Sequence, residues 1–277
     1  MGAGTLKVYV SVDMEGLAGV VHWDQIMSSG GDVTLGRALL AGELQAVCRG
    51  AVIAGAEAVV VNDAHSHMRN IDPLTLEDHV QLISGHFKPM YMMEGLDETF
   101  QAAVFLGYHG SIGSSSVLSH TYNPNVIWEA RLNGRVTGET GINALVAHHY
   151  RVPVVLLTGD DVTVKDAKHW VPEATTVQTK TSLSRFAASS MTPGQAHTLI
   201  FAQIQAALSR LTEPRPVTGD QRLELTFQSA DMATVAEWTG QVRRVGDRRV
   251  VIEATDGLSL YRTFHTVLLL ARSVVDG

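Results

Sequence analysis

Four short apolar runs constrain this chain more than any other feature: residues 6–12, 58–61, 103–106 and 152–157, each bounded by Gly, Asp, Asn or Pro. They are short for helices and too continuously apolar for strands with one wet face. They therefore predict strands buried on both sides, as in a parallel sheet. Between the first two, residues 34–54 are rich in Ala, Leu, Glu and Arg and read as a helix closed by Gly55. Residues 137–150 read as a second helix, ended before Pro153. Strand, helix and strand in this order imply right-handed crossovers and a layered domain. Further on, residues 192–211 read as a helix opened by Thr192-Pro193, and Pro214-Arg215-Pro216 as a linker. A strand over 223–228, a helix from about Asp231, a hairpin around Gly246-Asp247 and a closing helix over 257–275 complete the pattern. The expected fold class is α/β. A three-layer α/β/α catalytic domain with a mainly parallel sheet occupies residues 1–190, and a smaller α+β domain contributing to assembly occupies 191–277.

Composition narrows the function. The chain has 277 residues, 45% of them hydrophobic, enough for a substantial core. A net charge of −7 with no Lys/Arg block argues against a sequence-independent nucleic-acid binder. No apolar stretch approaches the roughly 20 residues needed to span a bilayer, and the amino terminus lacks the charged-then-apolar pattern of a secretory signal. A cytoplasmic protein is expected. The single cysteine, Cys48, excludes an internal disulfide framework and a thiolate-rich zinc module. Charged residues are sparse at 18%, yet there are twelve histidines.

The ends of the strands show where the chemistry collects. The first run delivers Asp13-Met14-Glu15-Gly16, the second Asn62-Asp63-Ala64-His65, and the third Gly107-Tyr108-His109. Asp13 and Glu15 are two apart and project the same way while the backbone stays extended. Taken singly, each has an ordinary explanation: an acidic pair after a strand caps a turn or helix, and a lone histidine is a hydrogen-bonded structural residue. Three such placements along one carboxyl edge, where open parallel sheets form ligand sites, favour a divalent-metal site. Imidazole and carboxylate without thiolate suit hydrolytic zinc, with manganese second. A Gly/Ser-rich segment, 110–116, leads on to Ser119-His120 and can bring its backbone close to a ligand. Asn133-Gly134 predicts a type I′ hairpin turn. Glu139 then opens a helix, either complementing the dipole or supplying another oxygen. Among the rest, Asp63 and His67 flank His65 as either supports or surface residues. His148 and His149 suit a helix C-terminus, and Cys48 and the 90–93 methionine cluster suit packing.

These residues carry a family resemblance. The runs Ser11-Val12-Asp13-Met14-Glu15-Gly16, Val61-Asn62-Asp63-Ala64-His65-Ser66, Ile83-Ser84-Gly85 and Met93-Glu94-Gly95-Leu96-Asp97 occur in order. Leu106-Gly107-Tyr108-His109, Ser119-His120, Gly138-Glu139 and Gly159-Asp160-Asp161 follow. The chain resembles the M55 metallopeptidases, the D-aminopeptidase family, over most of its length and more weakly in its last third. The resemblance implies two Zn2+ per subunit held by Asp13, Glu15, His65, His109 and Glu139, with His120 as the catalytic residue. It implies release of amino-terminal D-amino acids, such as D-Ala, from short peptides by metal-activated water attack. It also implies a ring-like homo-oligomer, a decamer, with active sites facing an interior cavity. Departures around the motifs, at Ala64 and in the hairpin over 121–135, bear on substrate fit.

Five ligating side chains suit two metals if Asp13 bridges them, and the division of the others stays open. His120 reads as a proton carrier or a donor to the developing oxyanion. The competing readings are another dinuclear hydrolase, an amidase or phosphatase, and a non-catalytic peptide-binding protein.

Overall fold

β1 (Lys7–Val12) turns Val8, Val10 and Val12 to one side and Tyr9 and Ser11 to the other, and all five are buried. A strand covered on both faces belongs in the middle of a layered sheet. α1 (Val33–Ile53) crosses back to β2 (Ala58–Asp63), and β3 (Val80–Ile83) adds to the outer side of β2. The chain then returns to place β4 (Ala102–Tyr108) on the other side of β1. A hairpin of β5 (Ile127–Leu132) and β6 (Arg135–Val136) precedes α2 (Glu139–His149) and β7 (Val154–Asp160). Next come α3 (Asp161–Trp170), β8 (Thr175–Ser184), β9 (Ala187–Ser190) and α4 (Pro193–Leu208). β10 (Gln221–Phe227), α5 (Ala230–Glu237), β11 (Val242–Gly246), β12 (Arg249–Ala254) and α6 (Gly257–Arg272) finish the chain. The structure is a computed structural model and describes residues 6–212, 214 and 219–275. Arg215 and Pro216 of the expected linker, and residues 1–5 of the amino terminus, lie outside the described residues.

Seven strands form the main sheet in the order β3-β2-β1-β4-β7-β8-β9, parallel throughout except for the β8–β9 hairpin. Five form an antiparallel second sheet, β11-β12-β10-β5-β6. On one face of the main sheet, Val8, Val10 and Val12 pack against Leu44 and Val47 of α1 and Ile200 and Ile204 of α4. On the other face Tyr9 and Phe105 share a core with Ile142 of α2, Leu225 of β10, Ile252 of β12 and Phe264 of α6. The mixed α/β architecture expected from the apolar runs is present. The second sheet takes β5 and β6 from within residues 1–190, while α4, from 191–277, packs on α1.

Asn133 and Gly134 both have positive φ, 52° and 81°, as a type I′ turn requires. β3, α3, β8 and β9 were not expected. β8 is largely polar and half-exposed, and α3 buries only Thr163 and Ala167, so neither leaves an apolar signature in the sequence.

Chain order reverses between β1 and β4, and the crevice outside their carboxyl ends is where such sheets bind ligands. The two strands leave the sheet almost touching. A Cβ at Gly16 would overlap the carbonyl of Tyr108, and Gly107 adopts φ of +72° against Asp13. Glycine at both places lets the acidic turn after β1 lie directly beside the histidine after β4.

Candidate metal centre

Five of the six expected residues project from strand ends or a helix start at this edge, and His120 arrives on the loop above them. Asp13 and Glu15 follow β1, His65 follows β2, His109 follows β4, and Glu139 opens α2 after Gly138. All six are buried. His65 Nδ1 lies 3.0 Å from Asp13 Oδ1 and 3.1 Å from Glu15 Oε2. His109 Nε2 lies 3.4 Å from the other Asp13 oxygen, Oδ2, and 3.3 Å from Glu139 Oε2. Asp13 thus stands between two triads, Asp13-Glu15-His65 and Asp13-His109-Glu139, each with ligand atoms close enough to share an ion. Glu15, His109 and His120 form a third such group.

The donor set fits zinc on several counts. Ligand atoms around a tetrahedral zinc with bonds of about 2.0 Å are separated by about 3.3 Å, close to the nitrogen–oxygen spacings found here. Asp13 Oδ2, Glu15 Oε2 and His109 Nε2 are buried without a hydrogen-bond partner, an arrangement that needs a cation to offset its cost. Each histidine also has one ring nitrogen beside a backbone carbonyl: His65 Nε2 donates to Ile26 at 3.1 Å, and His109 Nδ1 to Gly110 at 2.9 Å. His120 Nδ1 donates to Leu118 at 2.9 Å. Metal-ligating histidines are held this way, with the second nitrogen fixed toward the ion.

Electrostatics report the same excess of buried negative charge. Burial, then Glu15 and Glu139, push the Asp13 carboxyl well above its usual range. Burial opposes a charged ring at His65, but Glu15 and Asp13 outweigh it and hold the pKa well above normal. At His109 burial is likewise outweighed, by Glu139, Glu15 and Asp13, and the pKa rises to about 10. Imidazolium relieves the repulsion in part; a divalent cation does so more fully. His120 goes the other way. Burial and then the neighbouring His109 lower its pKa, so it stays neutral with Nε2 bare. That nitrogen is 3.7 Å from Glu139 Oε1 and 3.9 Å from Glu15 Oε1. The ring stacks on His109 at 4.1 Å between centroids and meets the edge of Trp23 at 5.4 Å.

Several residues that brace this arrangement were not foreseen. Lys180 on β8 is buried and donates to the carbonyls of Glu15, Leu17 and Val20, clamping the turn that carries the acidic pair. A lysine in a polar segment reads as solvated in sequence; only sheet order shows that it points inward. Lys88 donates to Asn62 Oδ1 and to the carbonyl of Asp63 at the end of β2. Asp63 is neither exposed nor in the cluster. It accepts from the backbone N–H groups of Asn70 and Ile71, while Asn70 Nδ2 donates to the His65 carbonyl at 2.8 Å. Asp160 accepts from Ser116 Oγ, the Val117 N–H and Ser182 Oγ, anchoring the Gly/Ser-rich loop that leads to His120. His67 is exposed and hydrogen-bonds Ser28, whereas His148 and His149 pair with Glu173 and Asp256. Cys48 and Met92–Met93 are buried in the cores.

A cavity of about 360 Å³ opens over the cluster, walled by Trp23, Met27, Tyr91, Tyr122 and Asn123. Its size suits a small ligand, and its lining includes Asp13, Glu15, Glu139 and His120.

Comparison with known proteins points to one family. A profile of the Peptidase M55 family, described as D-aminopeptidase, matches residues 6–266. A D-aminopeptidase of Bacillus subtilis (strain 168) is 35% identical over 273 residues, covering 96% of this chain and 98% of the relative. A solved structure, "Zn-dependent D-aminopeptidase DppA from Bacillus subtilis, a self-compartmentalizing protease", superposes with a TM-score of 0.91 at 32% identity. That match covers 96% of this chain and 98% of the other.

Proposed function

The chain belongs to the M55 peptidase family of D-aminopeptidases, and from that premise we propose that it is a zinc-dependent aminopeptidase releasing amino-terminal D-amino acids, such as D-Ala, from short peptides. The observation that carries the reading is the buried cluster of three carboxylates and two imidazoles with unpartnered atoms turned inward. We infer two zinc sites per subunit, one at Asp13-Glu15-His65 and one at Asp13-His109-Glu139, with Asp13 shared because its two oxygens face different histidines. When bound, the pair supplies the charge that activates a water and polarises the scissile carbonyl.

The chain's own residues do the rest. The cavity would seat the amino end of the peptide beside Asp13, Glu15 and Glu139, where bound zinc could hold it as a free amine. His120, neutral and fixed through Leu118, presents Nε2 as a proton acceptor; once protonated, it donates to the departing amine. Trp23 and the stacked His109 restrict its ring to that orientation. The phosphatase, amidase and peptide-binding alternatives are not favoured by the relatives found.

DppA is described as self-compartmentalizing. By that likeness the active form proposed here is a homo-oligomer; a ring-like decamer follows from the family resemblance, and a cytoplasmic location and a part for residues 191–277 in assembly from the sequence. Trp238, 74% exposed in that segment, is a surface such contacts would cover. Among the described residues no helix is long and apolar enough to cross a membrane.

The test is turnover of D-Ala-D-Ala and of paired D- and L-alanyl anilides by zinc-loaded and chelator-stripped protein. D-Ala release only with zinc, and a preference for the D-anilide, are the expected results. Zinc-dependent hydrolysis of p-nitrophenyl phosphate with no D-peptide cleavage would refute the reading.

A further inference from the structure

The cavity over the cluster is lined by two kinds of charged group. Among the described residues, every carboxylate on its wall, Asp13, Glu15 and Glu139, belongs to the cluster, and the only lysine or arginine on the wall is Arg272. Arg272 is the last residue of α6 and is solvent-exposed. The arginine ion pairs among the described residues are those of Arg49, Arg131, Arg222, Arg243 and Arg244; Arg272 is in none of them. Tyr91 lines the same cavity and is within electrostatic reach both of Arg272 and of Asp13, Glu15 and Glu139. It is stacked on Tyr122 at 5.8 Å, and the Tyr122 N–H donates to Glu139 at 2.7 Å, so this aromatic wall is fixed to the cluster. A short peptide with its amino end at the cluster carries a free carboxylate at its other end, two or three residues spanning roughly 7–10 Å when extended. The guanidinium fork matches a carboxylate with two parallel hydrogen bonds.

We propose that Arg272 binds the free carboxyl-terminal carboxylate of the substrate, making di- and tripeptides with an unblocked carboxyl end the preferred substrate class. The proposal rests on the aminopeptidase reading and adds to it a residue that measures substrate length. Because Arg272 is exposed, its contribution is moderated by solvent.

The experiment compares kcat/KM for D-Ala-D-Ala and its carboxamide, D-Ala-D-Ala-NH2, in zinc-loaded wild type, Arg272→Gln and Arg272→Lys. Wild type should prefer the free acid, mainly through KM. Arg272→Gln should reduce that preference about tenfold, and Arg272→Lys, which keeps the charge but not the fork, should retain part of it. Because each protein is its own reference, a partly misfolded variant loses rate on both peptides without changing the ratio. An unchanged ratio in Arg272→Gln, or equal rates on both peptides in wild type, overturns the proposal while leaving the aminopeptidase reading intact. Failure of wild type to cleave either peptide removes that reading and this proposal together.

Discussion

Glu43 allows a stability prediction to be worked from the structure. It lies on α1 beneath the turn that carries Asp13 and Glu15, and it is 1% exposed. Its Oε1 accepts the Ala18 N–H at 2.8 Å, and its Oε2 has no partner among the described residues. Burial raises its pKa from 4.5 to about 7, against smaller opposing effects of that N–H and Lys180. The folded state therefore holds this proton more tightly than the unfolded state. The associated stability is complete below about pH 4.5 and is lost as pH rises through about 7. At roughly 1.36 kcal/mol per pKa unit, the loss between pH 5 and pH 8 is about 2–3 kcal/mol. Glu43→Gln keeps the shape and the acceptor oxygen but does not ionise. In urea unfolding of metal-free protein at fixed protomer concentration, the variant should gain about 2–3 kcal/mol on wild type between those two pH values. A wild-type-to-variant difference that stays constant across this range would refute the reasoning, because it would mean that Glu43 ionises alike in both states.

Other perturbations address the centre itself. His120→Ala should retain zinc, measured by plasma emission, while turnover falls about 100- to 10,000-fold; parallel loss of metal would make His120 a ligand. Asp13→Ala removes the shared carboxylate and should lose both ions, so full zinc content with normal activity would defeat the shared-ligand arrangement. Lys180→Met leaves the carbonyls of Glu15 and Val20 without this donor, at about 1–3 kcal/mol for each buried group, while Leu17 keeps the Val20 N–H; no longer burying a charge offsets part of the cost. Its zinc affinity and unfolding midpoint should both fall, and unchanged values would show that the clamp contributes nothing. Asp160→Asn should slow turnover without metal loss, since its partners Ser116 and Val117 hold the loop before His120; zinc loss would place its effect on the cluster instead.

Much of the site was legible before any fold was known, because strand ends punctuate a sequence clearly. The apolar run of β1 stops at Val12, and Asp13 and Glu15 follow at once; His65 and His109 stand just beyond β2 and β4 in the same way. What did not read out were residues whose role depends on distant neighbours. Lys180 acts on a turn more than 160 positions away, and its own strand is polar enough to resemble a surface loop. Arg272 ends an amphipathic helix, where a basic residue normally answers the helix dipole. Nothing local distinguishes it from a solvated charge; only the packing of α6 brings it to the cavity wall.

The sequence by itself determined which residues could bind metal and that they would gather along one carboxyl edge. Both follow from short-range chemistry: apolar runs make buried strands, and polar residues escape at their ends. The tertiary structure decided how the ligands are paired, with Asp13 turning one oxygen to His65 and the other to His109. It also decided that His120 stays neutral while His109 is pushed toward the charged form. Those outcomes depend on ångström separations among buried charges, which strand order and the close crossing at Gly16 and Gly107 set. Coulomb energies in a low-dielectric interior change steeply over such distances, and no local pattern of residues encodes them.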